Sequence, residues 1–484
     1  MFETIAQGGV YRYLFNGEWY EGTHNPPISV YAPADGALVG KIQALSKEEV
    51  DKVFENAKAA QKEWAQTPIN RRAEILHRAA DLLEEHTDEL AGILSNEIAK
   101  DIDSAVSEVK RTADFIRFTA DEGKHLEGET VGADNFPGFK KERFSVVTRV
   151  PLGVVLAISP FNYPVNLSAS KIAPALVAGN SVVLKPPTSG AISALCLAYV
   201  FQAAGLPAGV LNVVTGQGSE IGDYLVTHPM VDFISFTGST AVGKNIAKIA
   251  GMVPMLMELG GKDAAIILED ANLDEAAKDI VAGAYSYSGQ RCTAVKRVLV
   301  VKTVADELVK RIKERVEALK VGKPSEKVQI TPLINNKAAD YVQELIDDAL
   351  AKGAKLLAGN RREGNLIYPT LFDEVTTDMR LAWEEPFGPV LPIIRIQDAE
   401  EGVSIANRSE YGLQASVFTK NIDAAFTIAS NLEVGTVHIN NKTERGPDHF
   451  PFLGVKSSGM GTQGIRYSIE AMSRHKVVVI NLAK

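Results

Sequence analysis

One thiol is the first feature of this 484-residue sequence that suggests chemistry. Cys292 is one of only two cysteines and lies in the segment YSGQRCTAVKR, between Arg291 and Thr293. The thiolate is the nucleophilic form, and a free cysteine has a pKa of about 8.5, so catalysis requires surroundings that favour the anion. Arg291 and the backbone N–H groups of the SGQRC turn are candidates for that role. Cys196, in the apolar run SALCLAYVF, fits a buried core residue instead.

A carboxylate and an amide could complete a site around this thiol. Glu258 lies in MELGGKD at the end of an apolar run, where burial would raise its pKa and suit it to act as a general base. A surface glutamate at a strand end explains that stretch equally well. Asn162, in ISPFNYP, could donate a hydrogen bond to a developing oxyanion, although an asparagine in a turn is commoner. None of the eight histidines adjoins either cysteine, although a Cys/His pair could still form in space.

Two glycine clusters could accommodate phosphate groups. The segment 238–245, GSTAVGKN, follows a predicted strand and opens a predicted helix, where free N–H groups favour an anion. It nearly matches a P-loop, but Asn245 has no hydroxyl for magnesium, which makes a nucleoside triphosphatase a weak interpretation. The second cluster, GQGSEIG at 216–222, misses G-x-G-x-x-G by one residue. Either cluster alone is better explained as a tight turn, and the two together are explained equally well by a nucleotide site.

The amino-acid composition argues against several classes of protein. The net charge is −9, 45% of the residues are hydrophobic, and Lys and Arg are nowhere concentrated, so we expect no nucleic-acid partner. No apolar run reaches the roughly 18 residues of a membrane-spanning helix, and the N-terminus does not resemble a signal peptide. Two cysteines exclude a disulfide framework and a four-cysteine zinc site, and no metal site is expected. The sequence therefore predicts a cytoplasmic protein with reduced thiols.

The pattern of predicted elements indicates an α/β fold. Apolar residues at spacings of three and four predict helices over 47–122, and the segment 140–160 is predicted to be extended. From 181 onward, short β-branched runs alternate with helical segments, which predicts parallel sheets with helices on their faces. The last residues, RHKVVVINLA, predict a strand that pairs with 140–150 or with another subunit. A helix over LDEAAKDIVAGAYSYSG is predicted to lead to Cys292.

Several motifs in order resemble the aldehyde dehydrogenase superfamily. They run from Ile158 to Gly459 and read ISPFNYP, KPPT, FTGSTAVG, MELGGKD, SGQRC, EEPFGP and PFLGVKSSG. The resemblance implies that Cys292 is the nucleophile and Glu258 the general base. It also implies that the Asn162 side chain and the Cys292 N–H form the oxyanion hole. The implied cofactor residues are Ser159, Lys185, Thr188, Asp223, Gly238, Ser239, Leu259, Glu385 and Phe387.

Two departures from the family pattern affect specificity. The common Lys-Pro-Ser-Glu reads KPPT here, so Thr188 replaces the glutamate that binds the ribose hydroxyls in NAD-preferring members. The loss of that charge favours NADP as cofactor. Leu453 stands where a glycine is usual, which makes the details of that loop less transferable.

Within the family, the chain is most similar to the branch of non-phosphorylating, NADP-dependent glyceraldehyde-3-phosphate dehydrogenases. The segments that carry this likeness are SAVSEVKRTADF, FNYPVN, GQRCTAVKR and HINNKTERGPDHFPFLG. The implied substrate residues are Arg111, Asn162, Tyr163, Arg291, Thr293 and Arg445. Arginine forks would suit a phosphorylated aldehyde, with Arg291 reaching its phosphate while Cys292 faces its carbonyl.

The resemblance also implies a division into domains. A Rossmann-like cofactor domain would comprise 1–125 and 151–258, an α/β catalytic domain 259–460, and a small β oligomerisation arm 126–150 and 461–484. The family implies a homo-oligomer, either a dimer or a tetramer. Rival interpretations are a dehydrogenase of another anionic aldehyde such as a semialdehyde, a cofactor-free cysteine hydrolase, a P-loop phosphotransferase, and an inactive structural protein.

Overall fold

The N-terminal part combines short strands with a layer of helices. The computed structural model describes residues 1–482. After a 3-10 helix (Phe2–Ile5), the strands are β1 (Ala6–Gln7), β2 (Val10–Tyr11), β3 (Tyr13–Phe15), β4 (Glu18–Tyr20), β5 (Ile28–Tyr31) and β6 (Leu38–Ile42). The helices are α1 (Lys47–Trp64), α2 (Ile69–Glu85), α3 (Thr87–Ile98) and α4 (Ile102–Gly123). The predicted helical region is confirmed, whereas the six short strands were not predicted.

The first large sheet has six strands in the order β11-β10-β9-β12-β13-β25. Its region contains β7 (Glu129–Gly132), β8 (Arg143–Pro151), β9 (Val154–Ile158), α5 (Asn166–Val177), β10 (Ser181–Lys185), α6 (Ala191–Ala203), β11 (Leu211–Val213), α7 (Gly218–Val226), β12 (Phe233–Thr237), α8 (Thr240–Ile249) and β13 (Met255–Glu258), with a 3-10 helix at Ala133–Asn135. Strands β9 to β13 run parallel. Their carboxyl ends therefore share one edge, where ligands bind in open α/β sheets.

The second large sheet has seven strands in the order β16-β19-β20-β15-β14-β22-β23. Its region contains β14 (Ala264–Ile267), α9 (Leu273–Tyr285), β15 (Arg297–Val301), α10 (Lys302–Glu317), α11 (Asn336–Ala351), β16 (Lys355–Ala358), β17 (Arg362–Glu363), β18 (Leu366–Ile367), β19 (Thr370–Asp373), β20 (Val390–Ile396), α12 (Ala399–Asn407), β21 (Tyr411–Gly412), β22 (Gln414–Phe418), α13 (Ile422–Asn431) and β23 (Thr436–Ile439), with 3-10 helices at Ser286–Gly289 and Arg380–Ala382. All pairs are parallel except β16 with β19.

The last elements among the described residues include three strands, each of which joins a different sheet. They are β24 (Val455–Lys456), β25 (Gly459–Met460), α14 (Ile465–Ala471) and β26 (Ser473–Asn481). β26 pairs antiparallel with β8 over its whole length, which confirms the intrachain alternative for the terminal strand. Residues 483 and 484, at the end of the predicted oligomerisation arm, lie outside the described residues.

Both faces of the large sheets are buried. In β9, Val155 and Ala157 pack in one hydrophobic cluster, and Val154 and Leu156 pack in another on the opposite face. This two-sided burial explains why the parallel strands read as continuous apolar runs. Among residues 1–482, no helix is both long and apolar enough to cross a bilayer.

The structure corrects the predicted elements at two places. β25 joins the sheet of the predicted cofactor domain, although its residues fall in the range predicted for the catalytic domain. The helix before Cys292 ends at Tyr285 rather than continuing to Gly289, because Tyr287 and Ser288 adopt left-handed backbone angles, with φ of 50° and 53°. The Ser288 hydroxyl stabilises this turn by donating to the Thr331 carbonyl and accepting from the Thr331 N–H. The domain boundaries themselves stay a prediction.

Candidate active site

The predicted residues converge on a pocket of about 560 Å³ where the two large sheets meet. The carboxyl ends of β9, β12 and β13 form one wall, and the loop before β15 forms another. The predicted residues that line the pocket are Ser159, Asn162, Thr188, Gly238, Ser239, Glu258, Leu259, Cys292, Glu385 and Phe387. Residues spread over 159–387 therefore share one cavity, as the family resemblance implied.

The Cys292 loop is held by close packing and by a buried lysine. Gly289 (φ 71°) precedes it, and a Cβ atom at this position would lie 2.4 Å from the Gly388 carbonyl oxygen. Only glycine allows this approach. The Lys296 ammonium donates to the Cys292 carbonyl and forms an ion pair with Glu385 at 3.1 Å. Sequence reasoning missed Lys296, although a lysine four residues after the cysteine, inside an apolar run, was a usable signal.

The electrostatics of the thiol differ from the prediction. Burial raises the pKa of Cys292 well above its ordinary value, and the nearby Glu258 carboxylate raises this pKa further. Lys296 and Arg445 act in the opposite direction but do not outweigh burial. The prediction of a lowered pKa due to Arg291 is wrong, because the Arg291 guanidinium turns back to donate to the Gly283 carbonyl at the end of α9.

Glu258 is a buried carboxylate at the end of β13, only 2% exposed. It lies opposite Thr237 in β12 and Gly459 in β25, so the sheet fixes its backbone from both sides. Neither carboxylate oxygen has a hydrogen-bond partner within residues 1–482. Burial raises the pKa of Glu258, partly opposed by the nearby Cys292 thiol and by the charges of Arg445 and Lys171. The raised pKa expected of a general base is therefore confirmed, and the alternative of a surface glutamate is wrong.

Asn162 links the ISPFNYP loop to the Cys292 loop. Its side-chain Nδ2 donates to the Gln290 carbonyl at 2.9 Å, two residues before Cys292. Since an amide NH₂ carries two donors, the second N–H remains for a ligand in the pocket that Asn162 lines. The Asn162 carbonyl accepts from the Lys100 ammonium at 2.7 Å.

Two of the predicted substrate arginines lie side by side. Arg111, on α4, forms a fork with Asp448 through Nε at 2.6 Å and Nη2 at 2.8 Å. Arg111 Nη2 also donates to the Arg445 carbonyl, and Arg445 Nε lies 3.7 Å from the same carboxylate. Arg445 Nη1 is buried without a hydrogen-bond partner among the described residues. Asp448 thus holds both cations, and sequence reasoning missed it because the contact joins residues 337 positions apart.

The remaining substrate candidates each contact a different part of the structure. The Tyr163 ring lies under the Lys100 ammonium, 3.5 Å from its centroid. Thr293 contributes its carbonyl, which accepts from the Thr443 hydroxyl at 2.9 Å and so ties the 440s loop to the Cys292 loop. Arg291 is directed toward Gly283 in this structure, so it is not brought together with the other two arginines.

The cofactor candidates surround the N-terminus of α8. Ser239 caps this helix by accepting from the Val242 N–H, and no acidic side chain lies in its first turn. Thr237, Gly238, Ser239 and Val242 all line the pocket, so the positive end of the helix dipole faces it. Gly238 packs against the Phe236 ring, where a Cβ atom would lie 2.5 Å from the ring.

Three further cofactor candidates occupy different positions. Lys185 ends β10 and donates to the Pro186 carbonyl at 2.9 Å, and burial lowers its pKa to about 8. Glu385 accepts from the Gly261 N–H at 3.1 Å. Asp223 lies on the exposed side of α7 and accepts from Asn245 Nδ2 at 2.9 Å. Neither Lys185 nor Asp223 lines the pocket itself.

A buried lysine beside the site was also missed. Lys171, on α5, donates to the Thr237 hydroxyl at 2.7 Å. Burial lowers its pKa to about 7, and the charge of Arg445 contributes to the shift while Glu258 opposes it. A charged residue inside the apolar helix LSASKIAPALV was a signal that could have identified it.

Comparisons with known proteins agree with this arrangement. A model of the aldehyde dehydrogenase family matches residues 19–478. The chain belongs to the aldehyde dehydrogenase family. This match contains every strand of the two large sheets, so family membership covers both walls of the pocket.

Individual family members are similar over nearly their whole length. The NADP-dependent glyceraldehyde-3-phosphate dehydrogenase of Streptococcus equinus is 59% identical over 98% of this chain and 99% of its own. The enzyme of that name from Pisum sativum is 52% identical over 99% and 97%. The crystal structure of NADP-dependent glyceraldehyde-3-phosphate dehydrogenase from Bacillus halodurans C-125, complexed with NADP, is 57% identical over 98% and 99%, with a TM-score of 0.97.

The electrostatic coupling of Cys292 and Glu258 gives a testable prediction. Glu258→Gln keeps the shape of the side chain and removes its negative charge, so the pKa of Cys292 should fall. The rate of Cys292 alkylation by iodoacetamide, measured against pH by peptide mass spectrometry, should then have its midpoint at lower pH than in the wild type. Glu410→Gln, a neutralised surface carboxylate, is the control and should leave the midpoint unchanged. A midpoint that stays in place or rises in Glu258→Gln would contradict the coupling.

Proposed function

We propose that the protein oxidises glyceraldehyde 3-phosphate to 3-phosphoglycerate with NADP and water, without inorganic phosphate. The observation that carries the proposal is the convergence of three groups: the Cys292 thiol, the Glu258 carboxylate and the Asn162 amide line one pocket. The names of the relatives from Streptococcus equinus and Pisum sativum support the same substrate and cofactor. As an enzyme of this kind, the protein would work through a covalent intermediate on Cys292.

Each step of the proposed reaction uses particular residues of this chain. The Cys292 sulfur, as thiolate, bonds to the aldehyde carbon and forms a thiohemiacetal, while Asn162 Nδ2 and the Cys292 N–H donate to the oxyanion. NADP, when bound, would supply the hydride acceptor that this carbon needs to become a thioester on Cys292. Glu258 takes a proton from water, and the water oxygen bonds to the thioester carbon. The carbon–sulfur bond breaks, 3-phosphoglycerate leaves, and the Cys292 sulfur departs as the thiolate with which the cycle began, while Glu258 passes its proton to solvent.

The arginine pair supports an anionic substrate. Arg111 and Arg445 lie together, and Arg445 Nη1 is an unpartnered buried donor. Such a donor costs stability unless a ligand satisfies it, and a phosphate oxygen would gain a charge-assisted hydrogen bond there. Tyr163, Arg291 and Thr293 complete the proposed substrate set, with Arg291 rotating away from Gly283 to contribute.

The residues present also suit NADP. The N-terminus of α8, with Ser239 as its cap, would hold the pyrophosphate, and Glu385 the nicotinamide ribose beside Phe387. Lys185 and Thr188 would hold the adenosine ribose and its 2′-phosphate. Ser159, Asp223, Gly238 and Leu259 would form the remaining contacts. The position of the α8 N-terminus at the pocket and the absence of a carboxylate in its first turn are the observations that favour an anion there.

The division of the chain and its assembly belong to the same proposal. The ranges 1–125 with 151–258, 259–460, and 126–150 with 461–484 would be the cofactor, catalytic and oligomerisation units. In β26, Val477, Val478 and Val479 are 55%, 50% and 56% exposed. Because successive strand residues point to opposite faces, both faces of β26 expose apolar side chains. Such a surface favours a subunit contact, hence a dimer or tetramer. The two free cysteines favour a reducing, cytoplasmic location.

The decisive assay measures NADPH formation from glyceraldehyde 3-phosphate in phosphate-free buffer. The wild type should form NADPH and 3-phosphoglycerate in equal amounts, and Cys292→Ser should lose at least about 10³-fold in rate, because the nucleophile is gone. Cys196→Ala, which removes the other thiol from the core of α6, should retain the activity. A strict requirement for inorganic phosphate, or near-full activity in Cys292→Ser, would refute the proposal.

Cofactor preference should depend on Thr188. Thr188→Glu places a carboxylate near the proposed 2′-phosphate, so the ratio of kcat/KM for NADP to that for NAD should fall about 10-fold or more. Thr188→Ala is the matched control: it removes the hydroxyl without adding charge and should weaken NADP use without improving NAD use. An unchanged ratio in Thr188→Glu would place the 2′-phosphate elsewhere.

A further inference from the structure

We infer that the buried ion pair Lys100–Glu108 positions the Asn162 amide against the Cys292 loop and thereby sets the rate of the chemical step. The inference rests on the proposed function and adds two positioning residues to it. Both side chains of this pair are 0% exposed, and neither was among the residues that the sequence assigned to the site.

Lys100 contacts both loops of the proposed oxyanion site. It follows Ala99, whose left-handed backbone (φ 54°) ends α3 and turns the lysine inward. The Lys100 ammonium donates to the Asn162 carbonyl at 2.7 Å and lies 3.5 Å from the centroid of the Tyr163 ring. On its other side it lies 4.5 Å from the centroid of the Tyr287 ring. Tyr287 belongs to the left-handed turn that leads to Cys292, so one cation contacts both halves of the site.

Glu108 holds the other end of the Asn162 segment. Its Oε1 accepts from the N–H groups of Val165 and Asn166, each at 3.0 Å, and its Oε2 accepts from Lys100. These two N–H groups open α5, so a carboxylate on α4 satisfies the N-terminus of another helix. The Thr112 hydroxyl adds a contact by accepting from Asn166 Nδ2 at 3.3 Å.

The pair therefore fixes the segment 162–166 at both ends. With the Asn162 carbonyl anchored by Lys100 and the start of α5 anchored by Glu108, the Asn162 side chain keeps its hydrogen bond to the Gln290 carbonyl. Stability alone does not require charges here, because well-packed apolar residues often replace a buried ion pair without loss. Apolar residues, however, would leave three backbone groups at the edge of the site without hydrogen-bond partners. These groups are the Asn162 carbonyl and the N–H groups of Val165 and Asn166.

A double-mutant cycle separates positioning from a general structural role. Lys100→Met should lower the rate constant of the NADPH burst about 10- to 100-fold, with little change in the KM for the aldehyde or in NADP binding. In an Asn162→Ala background, the same substitution should lower the burst by less than about 2-fold, because Lys100 acts through Asn162. Losses that multiply in the double variant would overturn the inference.

A matched control and a neutral variant complete the test. Thr119→Val removes a buried hydrogen bond to the Phe115 carbonyl on the same helix, away from the Asn162 loop, and should leave the burst unchanged. Because Lys100→Met leaves a buried carboxylate unpaired, Lys100→Met/Glu108→Gln removes both charges and should show the same loss. If neither variant folds, the pair is a requirement for folding, and the positioning inference is wrong.

A structural readout keeps the inference independent of the proposed reaction. In a crystal structure of the neutral variant, the distance from Asn162 Nδ2 to the Gln290 carbonyl should exceed 3.5 Å. An unchanged hydrogen bond would overturn the inference. If the wild type gives no NADPH burst with any aldehyde, the proposed function fails, while this distance still decides the role of the pair.

Discussion

The site depends on desolvating the half-buried Cys292 thiol next to the buried Glu258 carboxylate. Burial favours the neutral form of each group, and the pKa of each is raised accordingly. Lys171 and Arg445 offset this effect at Glu258, while Lys296 and Arg445 offset it at Cys292. The arrangement keeps both groups out of bulk water, where the thiol would be open to side reactions and the carboxylate would be a weak base.

The fold explains how these groups meet. Glu258 ends a strand of the six-stranded sheet, and six residues later the chain enters β14 of the seven-stranded sheet. Cys292 lies before β15, the neighbour of β14, so the thiol faces the carboxyl edge of the first sheet. The N-terminus of α8 and the loop after β9 open onto the same edge. The junction between the two large sheets therefore brings together the N-terminus of α8, an amide donor and the thiol–carboxylate pair.

Much of this arrangement was predictable, because continuous motifs encode local structure. The alternation of strands and helices from 181 onward, the terminal strand and the pocket residues Cys292, Glu258 and Asn162 all follow from short segments. Asp448 and the Lys100–Glu108 pair were not predicted, because their partners lie far away in sequence. The predicted direction of the Arg291 side chain was wrong. Its proximity to Cys292 in sequence does not show that the guanidinium donates to the Gly283 carbonyl. The early end of α9 depends on a tertiary contact with Thr331.

The most direct test of covalent chemistry at Cys292 is the mass of its peptide during turnover. In Glu258→Ala, water is no longer activated, so brief incubation with glyceraldehyde 3-phosphate and NADP followed by acid quench should trap an acyl group. The account predicts a phosphoglyceroyl thioester on the Cys292 peptide, in an amount equal to the NADPH formed in the burst. A burst of NADPH with an unmodified Cys292 peptide, or with the acyl group on another residue, would contradict it.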